Sequence, residues 1–267
     1  MGIALKSMVL LAILSAFSSN ARADESEKTW AGLKPDVFGE RVITDGADVI
    51  ELAAPVRAED AAITPIDIIA KAPQTPEKYI KTITLIVDEN PAPVVAAFTF
   101  GPVAASASLS TRVRIDSYTY VRVIAEMNDG SLHMVKKYVK ASGGCSAPAS
   151  KDADKAIADM GKMKLRQFAV KAGDTTREAQ IMIRHPNYSG LQMDQVMRTY
   201  TPAHFIRDLE VRRGGNLVFK MEGGISLSED PNIRFNFTGA SGDIKVTAKD
   251  TENQIFEQSW PIAAAGS

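Results

Sequence analysis

The chain has 267 residues, with 31 lysines and arginines against 32 aspartates and glutamates, and a single cysteine, Cys145. This near balance of charge excludes a strongly basic nucleic-acid-binding protein and gives no reason to expect an anionic membrane as a partner. A single cysteine excludes an internal disulfide, and the length is sufficient for two domains of ordinary size.

The first 23 residues have the layout of a secretory signal peptide. Lys6 gives a basic start, Met8–Phe17 is an apolar run, and Ala21–Ala23 is a small-x-small cleavage motif before Asp24. A membrane anchor helix is the alternative, but the apolar run is shorter than the roughly 20 residues that cross a bilayer. We therefore expect residues 1–23 to be removed and the protein to be exported.

Residues 24–145 carry short apolar runs with a period near two, which predict antiparallel strands. Ile83, Leu85 and Val87 alternate along one such run. Two β-rich runs, at 118–125 and 131–139, flank an Asn-Asp-Gly turn, which is a strong hairpin signal. Near the start of this region, apolar residues between positions 30 and 38 predict a short helical cap. The first half is therefore expected to be a β domain with a helical cap.

Residues 146–162 separate this half from a second one. Together with the two glycines before Cys145, the segment that starts at Ser146 is rich in small residues, as is typical of a flexible linker. The apolar spacing within 151–164 predicts a short helix, which Gly161 weakens. Residues 163–267 then repeat the β pattern, with predicted hairpins at 205–222 and 243–260. The sequence thus predicts an all-β protein of two similar sandwiches.

Cys145 is the residue most suggestive of chemistry. Gly143 and Gly144 precede it and Ser146 follows, so we expect the thiol to be exposed and mobile. Positive charge near it in sequence would favour a thiolate slightly. This charge comes from Lys136, Lys137 and Lys140 before the cysteine, and from Lys151 and Lys155 after it. A stray linker cysteine without a role is the alternative interpretation.

Enzymatic and metal sites have little support in the sequence. His133, His185 and His204 are scattered, so no Cys–His pair is indicated, and each is expected to be a surface or partly buried residue. With these few ligands, no spacing matches zinc, copper or haem ligation. There is also no phosphate-binding glycine loop and no nucleophile elbow. We expect no cofactor, no metal and no catalytic residue.

Several segments resemble a fusion of SoxY and SoxZ, the two subunits of a periplasmic sulfur carrier. The SoxY-like segments are Val49–Asp60, Ile83–Pro91 and Gly143–Cys145. The SoxZ-like segments are Pro202–Ile206, Leu209–Gly215 and Ser228–Phe235. The order and number of these segments make the resemblance far more specific than Gly-Gly-Cys alone.

The resemblance implies two immunoglobulin-like sandwiches, 24–145 and 163–267, packed in a monomer as an internal pseudo-heterodimer. It also implies that Cys145 holds a sulfur intermediate covalently, on an arm that contains Gly143 and Gly144, while partner enzymes act on that intermediate. The expected partners are periplasmic Sox-type enzymes or a quinoprotein dehydrogenase system. A dimer linked through Cys145 is also possible.

One departure from SoxY alters the predicted reach of this arm. SoxY ends just after Gly-Gly-Cys-Gly-Gly, whereas here Ser146 and Ala147 replace the last glycines and the chain continues. The cysteine is then the tip of a loop tethered at both ends. The leading hypothesis is a non-enzymatic sulfur carrier. The alternative is a structural or chaperone-like accessory of a quinoprotein dehydrogenase in which Cys145 is incidental, and an enzyme acting through Cys145 alone ranks last.

Overall fold

The computed structural model describes residues 23–148, 153–169, 174–194, 197–239 and 241–263. The predicted signal peptide lies outside the described residues, apart from Ala23. In the part of the chain that is described, no helix is both long enough and apolar enough to cross a membrane.

The first half of the chain is one helix followed by eight strands. Helix α1 spans residues 23–38. The strands are β1 (Ile43–Asp45), β2 (Ile50–Ala53), β3 (Thr64–Ala70), β4 (Ile80–Val87), β5 (Val94–Phe100), β6 (Ala104–Val113), β7 (Thr119–Met127) and β8 (Leu132–Val139). The predicted strand at residues 83–87 lies in β4, and the predicted Asn-Asp-Gly hairpin joins β7 to β8, so both predictions are confirmed.

The second half contains a short helix, α2 (Ala153–Ala158), and nine strands among the described residues. The strands are β9 (Met163–Gln167), β10 (Thr176–Ile183), β11 (Met193–Asp194), β12 (Thr199–Tyr200), β13 (Ile206–Arg213), β14 (Asn216–Gly223), β15 (Asn232–Thr238), β16 (Asp243–Asp250) and β17 (Ile255–Pro261). Both predicted hairpins, β13–β14 and β16–β17, are present.

The helix predicted at residues 151–164 is shorter than expected. Helix α2 ends at Ala158, and Gly161 follows with a φ of +81°. A Cβ at Gly161 would lie 2.0 Å from a ring carbon of Phe256, so this position needs glycine for both conformation and space. The chain then turns into β9 at Met163. Residues 149–152 of the predicted linker lie outside the described residues.

Two large sheets pass from one half of the chain to the other. The first has the strand order β1-β8-β7-β4-β5-β14-β13-β16-β17, and the second β2-β3-β6-β15-β10-β9. The halves meet where β5 pairs with β14 and β6 pairs with β15, both antiparallel. The predicted all-β sandwich architecture is therefore confirmed, and backbone hydrogen bonds continue it across the junction.

One large hydrophobic core cluster contains residues from both halves. Alternate residues of β3 and of β15 are buried, as expected when one face of a strand packs inward. At the junction, Phe98 of β5 packs against Phe219 of β14, with ring centroids 6.2 Å apart. Phe219 in turn packs against Phe235 of β15 at 5.2 Å. The two halves therefore share their core, and neither buries its apolar face alone.

Helix α1 confirms the predicted helical cap and extends it. Trp30 and Phe38 pack on Ile86, Ile124 and Leu132 in a second apolar cluster. Beside them, a fully buried ion pair joins Arg122 to Asp88 at 2.8 Å, and Ser26 of the helix donates a hydrogen bond to Asp88. Burying two charges is costly unless they are paired and hydrogen-bonded, as they are here. The helix is thus part of the folded first half.

Candidate functional site

Cys145 lies in a turn after strand β8 and is completely buried, with a relative exposure of 0%. This corrects the expectation of an exposed thiol. The flanking residues are indeed small, but the loop folds back onto both halves of the protein. Residues that are distant in sequence cover Cys145, and the residue types next to it in sequence give no indication of this.

Backbone groups of the first half hold one side of this loop. The Gly143 amide donates to the Asp116 carbonyl oxygen at 2.8 Å, and the Gly144 amide donates to the Ile115 carbonyl oxygen at 3.0 Å. The Cys145 amide donates to Asp116 Oδ1 at 3.3 Å. Three successive amides are therefore satisfied by the two residues 115 and 116, which fixes the loop rather than leaving it free.

Gly143 and Gly144 allow the cysteine loop to adopt its backbone conformation and to pack closely against the backbone of the first half. A Cβ at Gly144 would lie 2.1 Å from the Ala61 carbonyl oxygen and 2.6 Å from that of Ile115. Gly143 has a φ of +74°, in the left-handed region that favours glycine. The resemblance to SoxY implies a flexible arm at these residues. In this structure Gly144 is needed because backbone approaches backbone too closely for a side chain.

The second half holds the other side of the loop. The Ser189 hydroxyl donates a hydrogen bond to the Cys145 carbonyl oxygen at 2.5 Å. Ser189 is itself buried, and its amide donates to Gln192 Oε1 at 2.9 Å. Because Asp116 and Ser189 come from different halves, the cysteine loop closes across the junction.

Arg114 lies directly beneath this loop and is also fully buried. One terminal nitrogen donates to the Gly144 carbonyl oxygen at 3.2 Å and the other to the Asn187 carbonyl oxygen at 3.4 Å. Its Nε is buried without a hydrogen-bond partner. No carboxylate of the described residues lies within ion-pair distance of it. Burial lowers the pKa of the guanidinium, and the charge of Glu229 partly opposes that shift.

The electrostatic setting keeps the docked thiol protonated. Burial raises the pKa of Cys145 to about 12, the charge of Asp116 adds to the rise, and Arg114 opposes it. A thiol with such a pKa is a poor nucleophile at neutral pH, because the thiolate is the reactive form. Among the described residues, Arg114 is the cation that acts on the thiol, whereas Lys136 pairs with Glu27. The predicted influence of the lysines is therefore wrong for Lys136.

A second polar cluster is formed by His185, His204 and Asp250. His204 Nε2 lies 2.7 Å from Asp250 Oδ2, and His185 Nε2 lies 3.7 Å from the same oxygen. Each histidine was expected to be a surface or partly buried residue, whereas His185 is 1% and His204 8% exposed. The imidazole of His185 meets that of His204 at a centroid distance of 4.8 Å. The three residues are far apart in sequence, so no local pattern indicated the cluster.

The hydrogen bonds of this cluster do not suit a metal ion. Although one ligand atom from each residue lies within 4.8 Å of the others, the Asn187 amide donates to His185 Nδ1 at 3.1 Å. The neutral ring then carries its proton on Nε2, the atom that faces Asp250. Burial lowers the pKa of His185 to about 4, so the ring is neutral near pH 7. His204 and Asp250 are joined by a hydrogen bond, whereas His185 Nε2 is buried without a hydrogen-bond partner.

The fold and the cysteine loop define a class of protein: two β modules with shared sheets that clamp one cysteine-bearing loop between them. A model of the sulfur oxidation protein SoxY matches residues 34–145, and a model of the sulphur oxidation protein SoxZ matches residues 164–261. The chain is therefore a fusion of a SoxY domain with a SoxZ domain, as the sequence motifs predicted. No curated protein matches it.

Among solved structures, the sulfur carrier protein SoxY from Chlorobium limicola f thiosulfatophilum is 23% identical. The match covers 47% of this chain and 99% of that one, with a TM-score of 0.38. A superoxide reductase (neelaredoxin) from Ignicoccus hospitalis is 17% identical over 39% of this chain and 97% of that one, with a TM-score of 0.34. The family assignment rests on the two domain models, not on these scores.

Proposed function

We propose that the protein is a non-enzymatic carrier that holds a sulfur-containing intermediate covalently on Cys145 and presents it to partner enzymes. The observation that carries this proposal is the position of the cysteine: the SoxY match ends at Cys145, and the SoxZ match follows 19 residues later, at residue 164. Cys145 is also the only cysteine of the chain. A single thiol at the end of the SoxY domain is the natural attachment point.

The surroundings of the thiol support a carrier rather than an enzyme. Among the described residues, no histidine hydrogen bonds the thiol, and burial holds its pKa near 12. A nucleophile that acted in place would need a base or a lowered pKa. The docked loop therefore stores the thiol in an unreactive form, and chemistry occurs when a partner enzyme draws the loop out.

The cellular setting is part of the proposal. The basic start, apolar run and cleavage motif of residues 1–23 support export to the periplasm. The partners are then Sox-type enzymes or a quinoprotein dehydrogenase system of that compartment. Because the chain continues beyond Cys145, the loop is tethered at both ends, and a partner must accept a hairpin instead of a free tail.

Intact-mass measurement of the protein purified from its native periplasm tests the proposal. We expect adducts that correspond to added sulfur atoms or a terminal sulfonate, and we expect them to vanish in Cys145→Ser. Ser146→Ala is the matched control, because it alters the neighbouring exposed residue and leaves the thiol in place. A clean, unmodified thiol in cells that are actively oxidising sulfur compounds would overturn the proposal.

The complete burial of Cys145 favours a second candidate, in which the protein is a structural or chaperone-like accessory of a quinoprotein dehydrogenase. Free cysteines are often buried and act as small apolar residues. In that case Cys145→Ser supports normal growth and normal binding of the dehydrogenase. The carrier proposal requires instead that growth on the sulfur substrate is lost while partner binding is kept.

A further inference from the structure

A buried guanidinium contacts the cysteine loop, and among the described residues the carboxylates whose charge acts on it, Glu229 and Asp60, lie beyond ion-pair distance. Arg114 has 0% relative exposure, and its only hydrogen-bond acceptors among the described residues are the carbonyl oxygens of Gly144 and Asn187. Its Nε has none. The other fully buried arginine, Arg122, has the carboxylate of Asp88 at 2.8 Å. Arg122 also pairs with Glu27 at 2.9 Å, whereas no carboxylate of the described residues lies within ion-pair distance of Arg114.

Burying a guanidinium without an ion-pair partner costs solvation free energy, which an anion bound there for part of the time would offset. Buried charges are normally paired, and an ionised group held in a protein interior without a partner loses several kcal/mol of solvation. A carrier that needed only to bury its loop could use a neutral side chain at this position. The guanidinium is the side chain best suited to bind planar or oxygen-rich anions through two parallel hydrogen bonds.

We propose that Arg114 is the binding group for an anionic, oxygen-terminated sulfur adduct on Cys145, which a partner enzyme loads and the closing loop brings back over the guanidinium. This inference rests on the proposed function and deepens it, because it names the residue that would position an adduct ending in a sulfonate and would favour it over a neutral one. Arg114 then acts as a positioning residue for the cargo.

The present contacts show which groups the adduct would use. The thiol position is fully enclosed, so a loaded loop sits farther out and releases the Arg114 nitrogen that now donates to the Gly144 carbonyl oxygen. That nitrogen and the unpartnered Nε are donors for sulfonate oxygens. The same outward shift separates the adduct from Asp116, whose carboxylate now accepts the Cys145 amide and whose charge opposes an anion.

Two chemical labels of Cys145 test this inference on the full chain. Tetrathionate is attacked by the thiol sulfur and releases thiosulfate and a proton, which leaves Cys145 with a disulfide that ends in sulfonate. Methyl methanethiosulfonate reacts in the same way and releases methanesulfinic acid, which leaves a neutral methyl disulfide. Both labels use the same sulfur–sulfur link, so the comparison isolates the anionic group.

We expect the anionic adduct to give a melting temperature higher than the neutral adduct by about 2–4 °C in the wild-type protein. The difference should vanish in Arg114→Gln and persist in Arg112→Gln. Arg112 is the matched control because it lies two residues earlier, near the end of β6, and donates instead to the Asp230 carbonyl oxygen. An anionic adduct no better than the neutral one in the wild type would overturn the inference, as would a difference that survives Arg114→Gln.

Arg114→Lys keeps the measurement decisive if Arg114→Gln does not fold. Lysine retains the charge without the planar pair of donors, so the advantage of the anionic adduct should shrink, and an undiminished advantage would also overturn the inference. Because both adducts are made in vitro, the result is independent of what the cell loads. A native protein without any adduct would remove the proposed function and leave the preference of Arg114 for an anion intact.

Discussion

The hydroxyl of Ser189 in the SoxZ domain donates a hydrogen bond of 2.5 Å to the carbonyl oxygen of Cys145, the last residue of the SoxY match. In a fused chain this contact makes the conformation of the cysteine loop depend on both domains. The SoxZ domain thus has a direct role at the thiol, which the distance of 44 residues in sequence conceals.

Ser189→Ala should loosen the loop and expose the thiol more often. A typical hydrogen bond stabilises a protein by about 1 kcal/mol, so we expect Cys145 to react about fivefold faster with a disulfide reagent such as DTNB. Ser146→Ala is the control, because Ser146 is exposed and its hydroxyl bonds only within the loop. Equal rates in the two variants would show that the bond from Ser189 does not hold the loop.

Gly144→Ala should open the loop more strongly than the loss of one hydrogen bond. Its added methyl group would lie 2.1 Å from the carbonyl oxygen of Ala61 and 2.6 Å from that of Ile115. Both oxygens belong to the backbone and have little freedom to move. We expect alkylation of Cys145 by iodoacetamide to accelerate by at least about tenfold, which corresponds to about 1.4 kcal/mol of lost docking. Gly32→Ala, where a Cβ meets no atom within 4 Å, should leave the rate unchanged.

Docking of the thiol should make the protein less stable in alkali. Burial raises the pKa of Cys145 from its ordinary value of 9.0 to about 12 in the folded protein, so above pH 9 the unfolded chain loses this proton first. Stability then falls as pH rises from 9 towards 12, by up to about 1.4 kcal/mol per pH unit. Urea unfolding of the wild type and of Cys145→Ser at pH 8 and pH 10 isolates this contribution. A constant difference between the two proteins would contradict the raised pKa.

His185 should make the protein sensitive to mild acid. Burial lowers its pKa from 6.5 to about 4, so the unfolded chain binds a proton first as the pH falls. The contribution of neutral His185 to the free energy of unfolding is fully present above pH 6.5. It decreases between pH 6.5 and 4, by up to about 1.4 kcal/mol per pH unit. Urea unfolding at pH 7.5 and pH 5 should show this loss in the wild type and in His133→Gln. A loss of the same size in His185→Gln would contradict the assignment.

The strands and hairpins could be predicted because their signals are local. Residues 128–130 carry the turn between β7 and β8, and Gly214 and Gly215 carry the turn between β13 and β14, where both glycines have a positive φ. The alternation of apolar and polar residues also predicts which face of each strand is buried. The pairing of β5 with β14 could not be predicted in this way, because the sequence of each strand indicates that it is a strand and does not indicate which strand it pairs with.

The cysteine loop could be located from the sequence, but its state could not. Small residues around Cys145 are compatible with a free arm and with a loop packed closely against backbone. The choice depends on Ala61, Arg114 and Ser189, which are distant in sequence and carry no motif. The same limit applies to the cluster of His185, His204 and Asp250, whose members are distant in sequence and meet only in the folded chain.

The most direct test of the carrier account is a pulse and chase with radiolabelled thiosulfate in cells that express the protein at its native level. The account predicts that label becomes covalently attached to the peptide that contains Cys145 and then leaves during the chase, while Cys145→Ser stays unlabelled. Absence of covalent label, or label that stays on Cys145 throughout the chase, would contradict the claim that this protein carries sulfur between enzymes.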